Sequence, residues 1–404
     1  MRAPSLWTRL ERATRPVHPV TERVLAERWA ALPDGVRTEQ QLLGRHAVGC
    51  EGTHGVFPKC DLTCSPCYHS KDANKVRVDG AHTVAQVEAQ MRLLEQTRGP
   101  RAHAQLIGGE VSLLPPEDHA AALAVMREHG REPMSMSHGD FDDAYLRALA
   151  LDANGRPRFR RLSFAAHVDS LMRGRTGIPR PRTEVELNPF RARFVEMFRD
   201  LRRDHGVRFY LAHNMTVTPA NLDQVQDVVA DVSGMGFSML SFQPGAHVGD
   251  ERRWTGGDYG SVGIDDVWDR IETGLGQRVA WQALQFGDPR CNRTAFGVRV
   301  DGDWVPVFDP DSRSDLTARD RALAHFGGVN VGGTPPLVLA VKVGRVLARH
   351  PGDVTVAVAW LRRLVERSGG VRRTWSSWRR GGVAPMTYVV HAFMDAAEVA
   401  PAWR

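Results

Sequence analysis

Cysteine is scarce in this chain, with 5 among 404 residues, at Cys50, Cys60, Cys64, Cys67 and Cys291. Three of them crowd into one short stretch, so no disulfide framework is expected and a reducing compartment is. Long apolar runs are missing as well: Lys342 and Arg345 interrupt the best candidate, and a membrane-spanning helix needs about 18 or more apolar residues. Residues 1–45 mix arginines with glutamates and hold no apolar stretch of the secretory kind, which leaves a cytoplasmic location as the expectation. No long block of basic residues and no RNA-binding signature accompanies the formal charge of +6, so nucleic acid is not an expected partner. A basic surface suits an anionic cofactor, a phosphorylated substrate or an anionic membrane surface equally well, and peripheral membrane contact stays open on that ground.

What is present is an ordinary globular composition, 42% hydrophobic and 25% charged, enough for a sizeable core. The chemistry concentrates in Lys59-Cys60-Asp61-Leu62-Thr63-Cys64-Ser65-Pro66-Cys67-Tyr68, where the cysteines stand at C-x3-C-x2-C spacing. Aspartate, serine, threonine and proline make this a loop. Thiolates are soft ligands for zinc, copper(I) or an iron-sulfur cluster. A structural zinc site closes with four protein ligands; three cysteines leave one position for something else.

The remainder reads as alternating strands and helices. Residues 1–44 form a helical extension, with Trp7, Leu10, Val24, Leu25, Trp29 and Leu32 at loosely helical spacing. Strands are expected at His46–Cys50, Ala102–Ile107, Pro133–Ser137, Arg160–Ala166, Val207–Val217 and Phe237–Phe242. Helices are expected at Thr83–Thr97 (with Thr83 as cap), Glu117–Glu128, Asp142–Leu151, Pro189–His205, Ala220–Met235 and Ile264–Leu275. Six β-α units in succession predict an α/β fold with a parallel sheet, and the pattern alone leaves a barrel or an open doubly wound sheet undecided. Residues 281–404 read as a second region: a β-hairpin through Asp301-Gly302, then helices at Pro336–Arg349, Asp353–Arg367 and in the tail, Tyr388–Trp403. Trp360, Trp375, Trp378 and Trp403 crowd this end, either as packing or as an apolar wall over a hydrophobic substrate.

The cysteine spacing, together with Gly108-Gly109-Glu110 one β-α unit later, resembles the radical S-adenosylmethionine (radical SAM) superfamily. The departure is Pro66 before the third cysteine, where that family often has an aromatic; here Tyr68 follows instead. The resemblance implies a partial (βα)6 TIM-like barrel over residues 45–280. It implies a 4Fe-4S cluster on Cys60, Cys64 and Cys67, with SAM on the fourth iron. SAM would be held by Gly108, Gly109 and Glu110, with Tyr68, Ser163, Asn214 and Gln243 as further cofactor-binding candidates. Reductive cleavage of SAM would yield a 5'-deoxyadenosyl radical that abstracts hydrogen from an unactivated C–H bond, fed by an electron donor such as a flavodoxin or ferredoxin. Strand-end residues His138, His167, Asp169 and Thr216 lie where barrel chemistry gathers; His167 and Cys291 are the catalytic candidates.

Cys50 and Cys291 are too few for an all-cysteine auxiliary cluster, unlike peptide maturases with cysteine-rich extensions. Thr216–Asn221, Phe242–Pro244 and Asp288–Cys291 are similar to segments of the tetraether lipid synthase-like lineage, which favours a lipid or other apolar metabolite as substrate. A polar natural-product intermediate or RNA is the alternative. In another class stands a non-catalytic iron-sulfur redox sensor or scaffold.

Overall fold

The computed structural model describes Leu6 and residues 19–49, 51–53, 55–70, 72–99, 103–246, 261–327 and 336–393. The architecture is mixed α/β. Its strands are β1 (Glu51–Gly52), β2 (Thr63–Cys64), β3 (His103–Leu106), β4 (Glu132–Ser137), β5 (Arg161–His167), β6 (Met172–Arg173), β7 (Arg208–Val217), β8 (Met239–Pro244), β9 (Asn292–Val300), β10 (Asp303–Pro306) and β11 (Val383–His391). Its helices are α1 (Pro19–Ala31), α2 (Gly80–Arg98), α3 (Pro116–Glu128), α4 (Asp143–Ala150), α5 (Asn188–His205), α6 (Val225–Val232), α7 (Ile264–Leu275), α8 (Arg313–Phe326), α9 (Pro336–Arg349), α10 (Gly352–Arg367) and α11 (Gly370–Arg379).

One nine-stranded sheet runs β1-β3-β4-β5-β7-β8-β11-β9-β10. Neighbours are parallel from β1 through β8 to β11, and β9 and β10 are antiparallel. Chain order and spatial order agree as far as β8, with no reversal. Crossovers of one hand, the rule for parallel strands, put the helices on one face of the strands. That face is apolar: Leu162, Phe164 and Ala166 of β5, Leu211 and Met215 of β7, and Leu240 and Phe242 of β8 join one core cluster with the helices. Phe141, Phe164, Phe194 and Phe198 contact one another edge-on or tilted inside it. Side chains alternate along a strand, so Ser163, His167, Asn214, Thr216, Ser241 and Gln243 share the opposite face.

Asp301 (φ 50) and Gly302 (φ 104) turn the β9-β10 hairpin, both in the positive-φ region that a two-residue turn of this twist requires. Elsewhere the elements shift from the sequence reading. The first strand is Glu51–Gly52, because residues 42–47 close a turn on themselves (His46 N to Leu42 O, 2.9 Å); Cys50 lies outside the described residues. Helix α2 is capped by Asp79, which accepts from His82 N at 2.7 Å, while Thr83 donates to Val56 O at 3.0 Å.

The largest correction is the tail. Val383–His391 is a strand, not the start of a helix, and it sits between β8 and β9. Its valines, threonine and tyrosine suit a strand, but only the edges left by β8 and β9 create the place for it. Pro385 falls where β11 extends beyond its pairing with β8, so its missing N–H costs no ladder bond. Helices α8 and α11 have no counterpart in the sequence reading. Among the described residues the tryptophans form no wall: Trp360 is half-buried with Nε1 on Val307 O (2.8 Å), whereas Trp375 and Trp378 are exposed. Trp7, Leu10 and Trp403 lie outside the described residues, and no described helix is long and apolar enough to cross a membrane.

Candidate metal and cofactor site

The cysteine loop lies across the C-terminal ends of the parallel strands. At its start, Gly109 N donates to Phe57 O and Glu110 N to Lys59 O, both at 2.6 Å. A Cβ on Gly108 would stand 2.5 Å from Phe57 O, and one on Gly109 would stand 2.3 Å from Lys59 O and Pro58 O. The two glycines are therefore required by chain-to-chain approach at the end of β3. In mid-loop, β2 pairs with β6 just past β5. Pro66, in a cis peptide with Ser65, sits beside Gly245 at the end of β8.

Cys60, Cys64 and Cys67 are all half-buried. Burial pushes the Cys60 thiol up to about 12, so a bound cation is needed to hold it as thiolate. Asn74, in the turn after the loop, fixes Cys60 from both sides of its backbone. Tyr68 is exposed and lies against His69, ring centroids 4.8 Å apart.

Glu110 is buried and accepts four hydrogen bonds. Its Oε1 accepts from Ser112 N (2.8 Å), Ser112 Oγ (2.6 Å) and Ser137 Oγ (2.7 Å), and its Oε2 from His138 N (2.7 Å). His138, at the end of β4, takes the Asp140 N–H on Nδ1 (3.0 Å), which places its ring proton on Nε2, 2.7 Å from Asp61 Oδ1. Burial lowers the His138 pKa, but Glu110 and Asp61 outweigh it and the net shift is upward. The bond from His138 holds Asp61 below the usual carboxylate range.

Ligand atoms of Cys60, Asp61 and His138 all lie within 4.8 Å of one another. Among the described residues the three cysteine sulfurs are not such a group.

Arg175 is the residue that sequence reasoning missed. It is 1% exposed, donates to His138 O at 2.7 Å and stacks on Phe190 at 4.1 Å, yet its Nε has no partner. Burial pulls its pKa down against Asp140, Asp169, Cys64 and Glu110 nearby. It forms no direct ion pair with a described residue, and a buried guanidinium of this kind calls for an anion. In sequence it is one arginine among many in a loop, with nothing to mark it.

At the end of β5, His167 Nε2 lies 2.9 Å from Asp169 Oδ2 and 3.0 Å from Thr216 Oγ1. Burial alone would raise Asp169, but His167 and the N–H groups of Thr216 and Leu171 hold it below its ordinary value. Register sets His167 opposite Asn214, Asn214 opposite Ser241 and Thr216 opposite Gln243, so these candidates form one polar patch. Ser163 shares the face but stands four residues back from His167, roughly 13 Å down the strand. Cys291 is exposed; because Asn292 pairs with His391, it lies at the same rim of the sheet, two strands beyond β8.

No family profile matches the chain, and no curated protein matches it in sequence. Among solved structures it is similar in part to Streptococcus suis SuiB (TM-score 0.32, 14% identity, covering 48% of this chain and 39% of that one). It is also similar to anSMEcpe with bound AdoMet (0.32, 17%, 48% and 51%). With AdoMet and the Cp18Cys peptide bound, anSMEcpe gives 0.36, 15%, 56% and 58%. The chain thus spans 39–58% of the length of those chains. Overlap this partial is no guide to activity; the side chains are.

Proposed function

We propose that the chain is a radical SAM enzyme built on a partial (βα)6 barrel. The observation that carries the reading is three half-buried thiols on one loop, mounted on the C-terminal ends of parallel strands beside a buried guanidinium that has no carboxylate partner among the described residues. The unreversed strand order supports the barrel, since a doubly wound sheet reverses at its switch point.

Cys60, Cys64 and Cys67 would hold three irons of a 4Fe-4S cluster. When bound, the cluster and SAM supply a 5'-deoxyadenosyl radical able to take hydrogen from an inert C–H bond. The chain's own residues position and exclude. Asn74 fixes Cys60, and Glu110 ties the ends of β3 and β4 together. The N–H groups of Gly109 and Glu110 are already used, so the carbonyls of Gly108 and Gly109 are what this segment has left for an ammonium. Arg175 supplies positive charge beside the thiolates. His167, held by Asp169, together with Asn214, Thr216 and Gln243, presents hydrogen-bonding groups to whatever lies over the strand ends. That polar patch favours a substrate or cofactor with polar groups there; the exposed tryptophans remove one support for a purely apolar substrate.

Anaerobic reconstitution with iron and sulfide, followed by reduction with SAM, tests this. The expected product is 5'-deoxyadenosine, absent from Cys64→Ala. The second reading, a non-catalytic metal site, draws on the convergence of Cys60, Asp61 and His138. One equivalent of tightly held zinc, lost in Asp61→Asn and His138→Gln, with no SAM cleavage, would replace the first reading by the second.

A further inference from the structure

Helix α11 is docked with its polar side toward the protein. Ser377, fully buried, donates to Asp301 Oδ1 at 2.8 Å. Arg373 donates to Val300 O at 3.2 Å and to Asp303 at 2.6 Å, and Arg380, just past the helix, pairs with Asp301 at 2.9 Å. These polar side chains grip the β9-β10 turn. The apolar side chains point away from it: Val371 is 74% exposed, Trp375 59% and Trp378 60%. Their i, i+4, i+7 spacing makes one stripe along the helix, and the two indoles stack with centroids 5.1 Å apart. A water-exposed helix ordinarily turns such a stripe inward, and an outward one marks an interaction surface.

We propose that α11 seats the chain on an anionic lipid surface. Indole pairs an apolar ring with a polar N–H and concentrates at membrane–water interfaces. The charge is complementary. Residues 370–380 contain Arg372, Arg373, Arg379 and Arg380 and no carboxylate side chain. Arg372 and Arg379, one heptad apart beside the stripe, are exposed and make no ion pair with a described residue. A second copy of the chain meeting this face about a two-fold axis would bring arginine onto arginine, which opposes self-association. The same outward turn recurs in the two preceding helices: Val354, Val358 and Leu361 on α10, and Leu337 and Val341 on α9, are exposed at helical spacing. A helix with an apolar stripe flanked by arginines lies in the interface plane, held by buried area and attraction to anionic headgroups together. None of this depends on the cluster, so its test stands apart from the radical SAM reading.

The experiment is vesicle flotation of the full chain on phosphatidylcholine, with and without phosphatidylglycerol, at low and high salt. Binding is expected only with phosphatidylglycerol, weakened by salt, with a blue shift of tryptophan emission. Trp375→Ser with Trp378→Ser should lower partitioning by about tenfold or more, as loss of two buried indoles implies. Arg372→Gln with Arg379→Gln should lower it by roughly 25-fold, about fivefold per arginine. Circular dichroism of both double variants should match the parent, because the substituted side chains face solvent. Absence of binding to phosphatidylglycerol vesicles overturns the proposal, and so does binding that both variants retain. Self-association abolished by the tryptophan pair, without vesicle binding, overturns it in favour of a second copy as the occupant.

Discussion

The side chain of Asn74 holds the backbone of Cys60 in a closed pair of hydrogen bonds: Oδ1 accepts from Cys60 N and Nδ2 donates to Cys60 O, each at 2.8 Å. One amide thus sets the direction of the first thiol without touching it. Asn74→Ala removes both bonds, at a local cost of about 1–3 kcal/mol. Iron bound after reconstitution should fall well below that of the parent while the far-ultraviolet spectrum stays the same. Full iron loading would show that the loop is held by other means.

Gly109→Ala should be among the most damaging single-methyl changes in the chain. The added carbon meets two carbonyl oxygens at 2.3 Å, both from backbone that cannot swing aside. Overpacking of this kind costs about 1–3 kcal/mol, and the loop that carries Cys60 must shift. Gly35→Ala, where nothing lies within 4 Å, is the matched control. Thermal unfolding and iron content of the pair decide it.

Arg175→Met should separate stability from ligand binding. Removing a buried charge that has no carboxylate partner among the described residues leaves the fold as stable as before or more so. Affinity for SAM, measured calorimetrically on the reconstituted protein, should fall about tenfold or more with loss of a charge-assisted contact. A variant that unfolds while the remaining folded fraction binds SAM normally would make Arg175 purely structural.

His119 gives a pH signature. It is fully buried between Tyr145 OH (2.9 Å) and Ser135 Oγ (2.8 Å), and burial lowers its pKa to about 3. Two hydroxyls suit a neutral imidazole, each able to donate or accept. The unfolded chain takes up the proton near pH 6.5. Stability from this group is therefore complete above that pH and is lost progressively toward pH 3. By pH 4.5 the loss is about 3 kcal/mol. Urea unfolding of the metal-free chain against its His119→Gln variant should show the parent falling more steeply between pH 6.5 and 4.5.

Cys291→Ser should leave iron content and 5'-deoxyadenosine formation within about twofold of the parent, as expected of an exposed surface substitution. The thiol sits at the strand-end rim but two strands beyond β8. A larger loss in substrate turnover alone would assign Cys291 to the substrate.

Much of the molecule was legible in the residues by themselves. Strands β3, β4, β5, β7 and β8 and the helices between them follow from apolar periodicity, a local property. The loop follows from cysteine spacing and turn-forming neighbours, and the β9-β10 turn from Asp301-Gly302, whose backbone preference needs no context. The tertiary structure decided what depends on distant partners. Strand β11 exists where β8 and β9 each leave an edge. Gly108 and Gly109 prove necessary because the chain at residues 57–59 returns against them. Arg175 acquires meaning only once burial strips it of water beside the cysteine loop. Trp375 and Trp378, which read as packing or as a wall over a substrate, face outward because Ser377, Arg373 and Arg380 on the other side of α11 had carboxylates at Asp301 and Asp303 to meet.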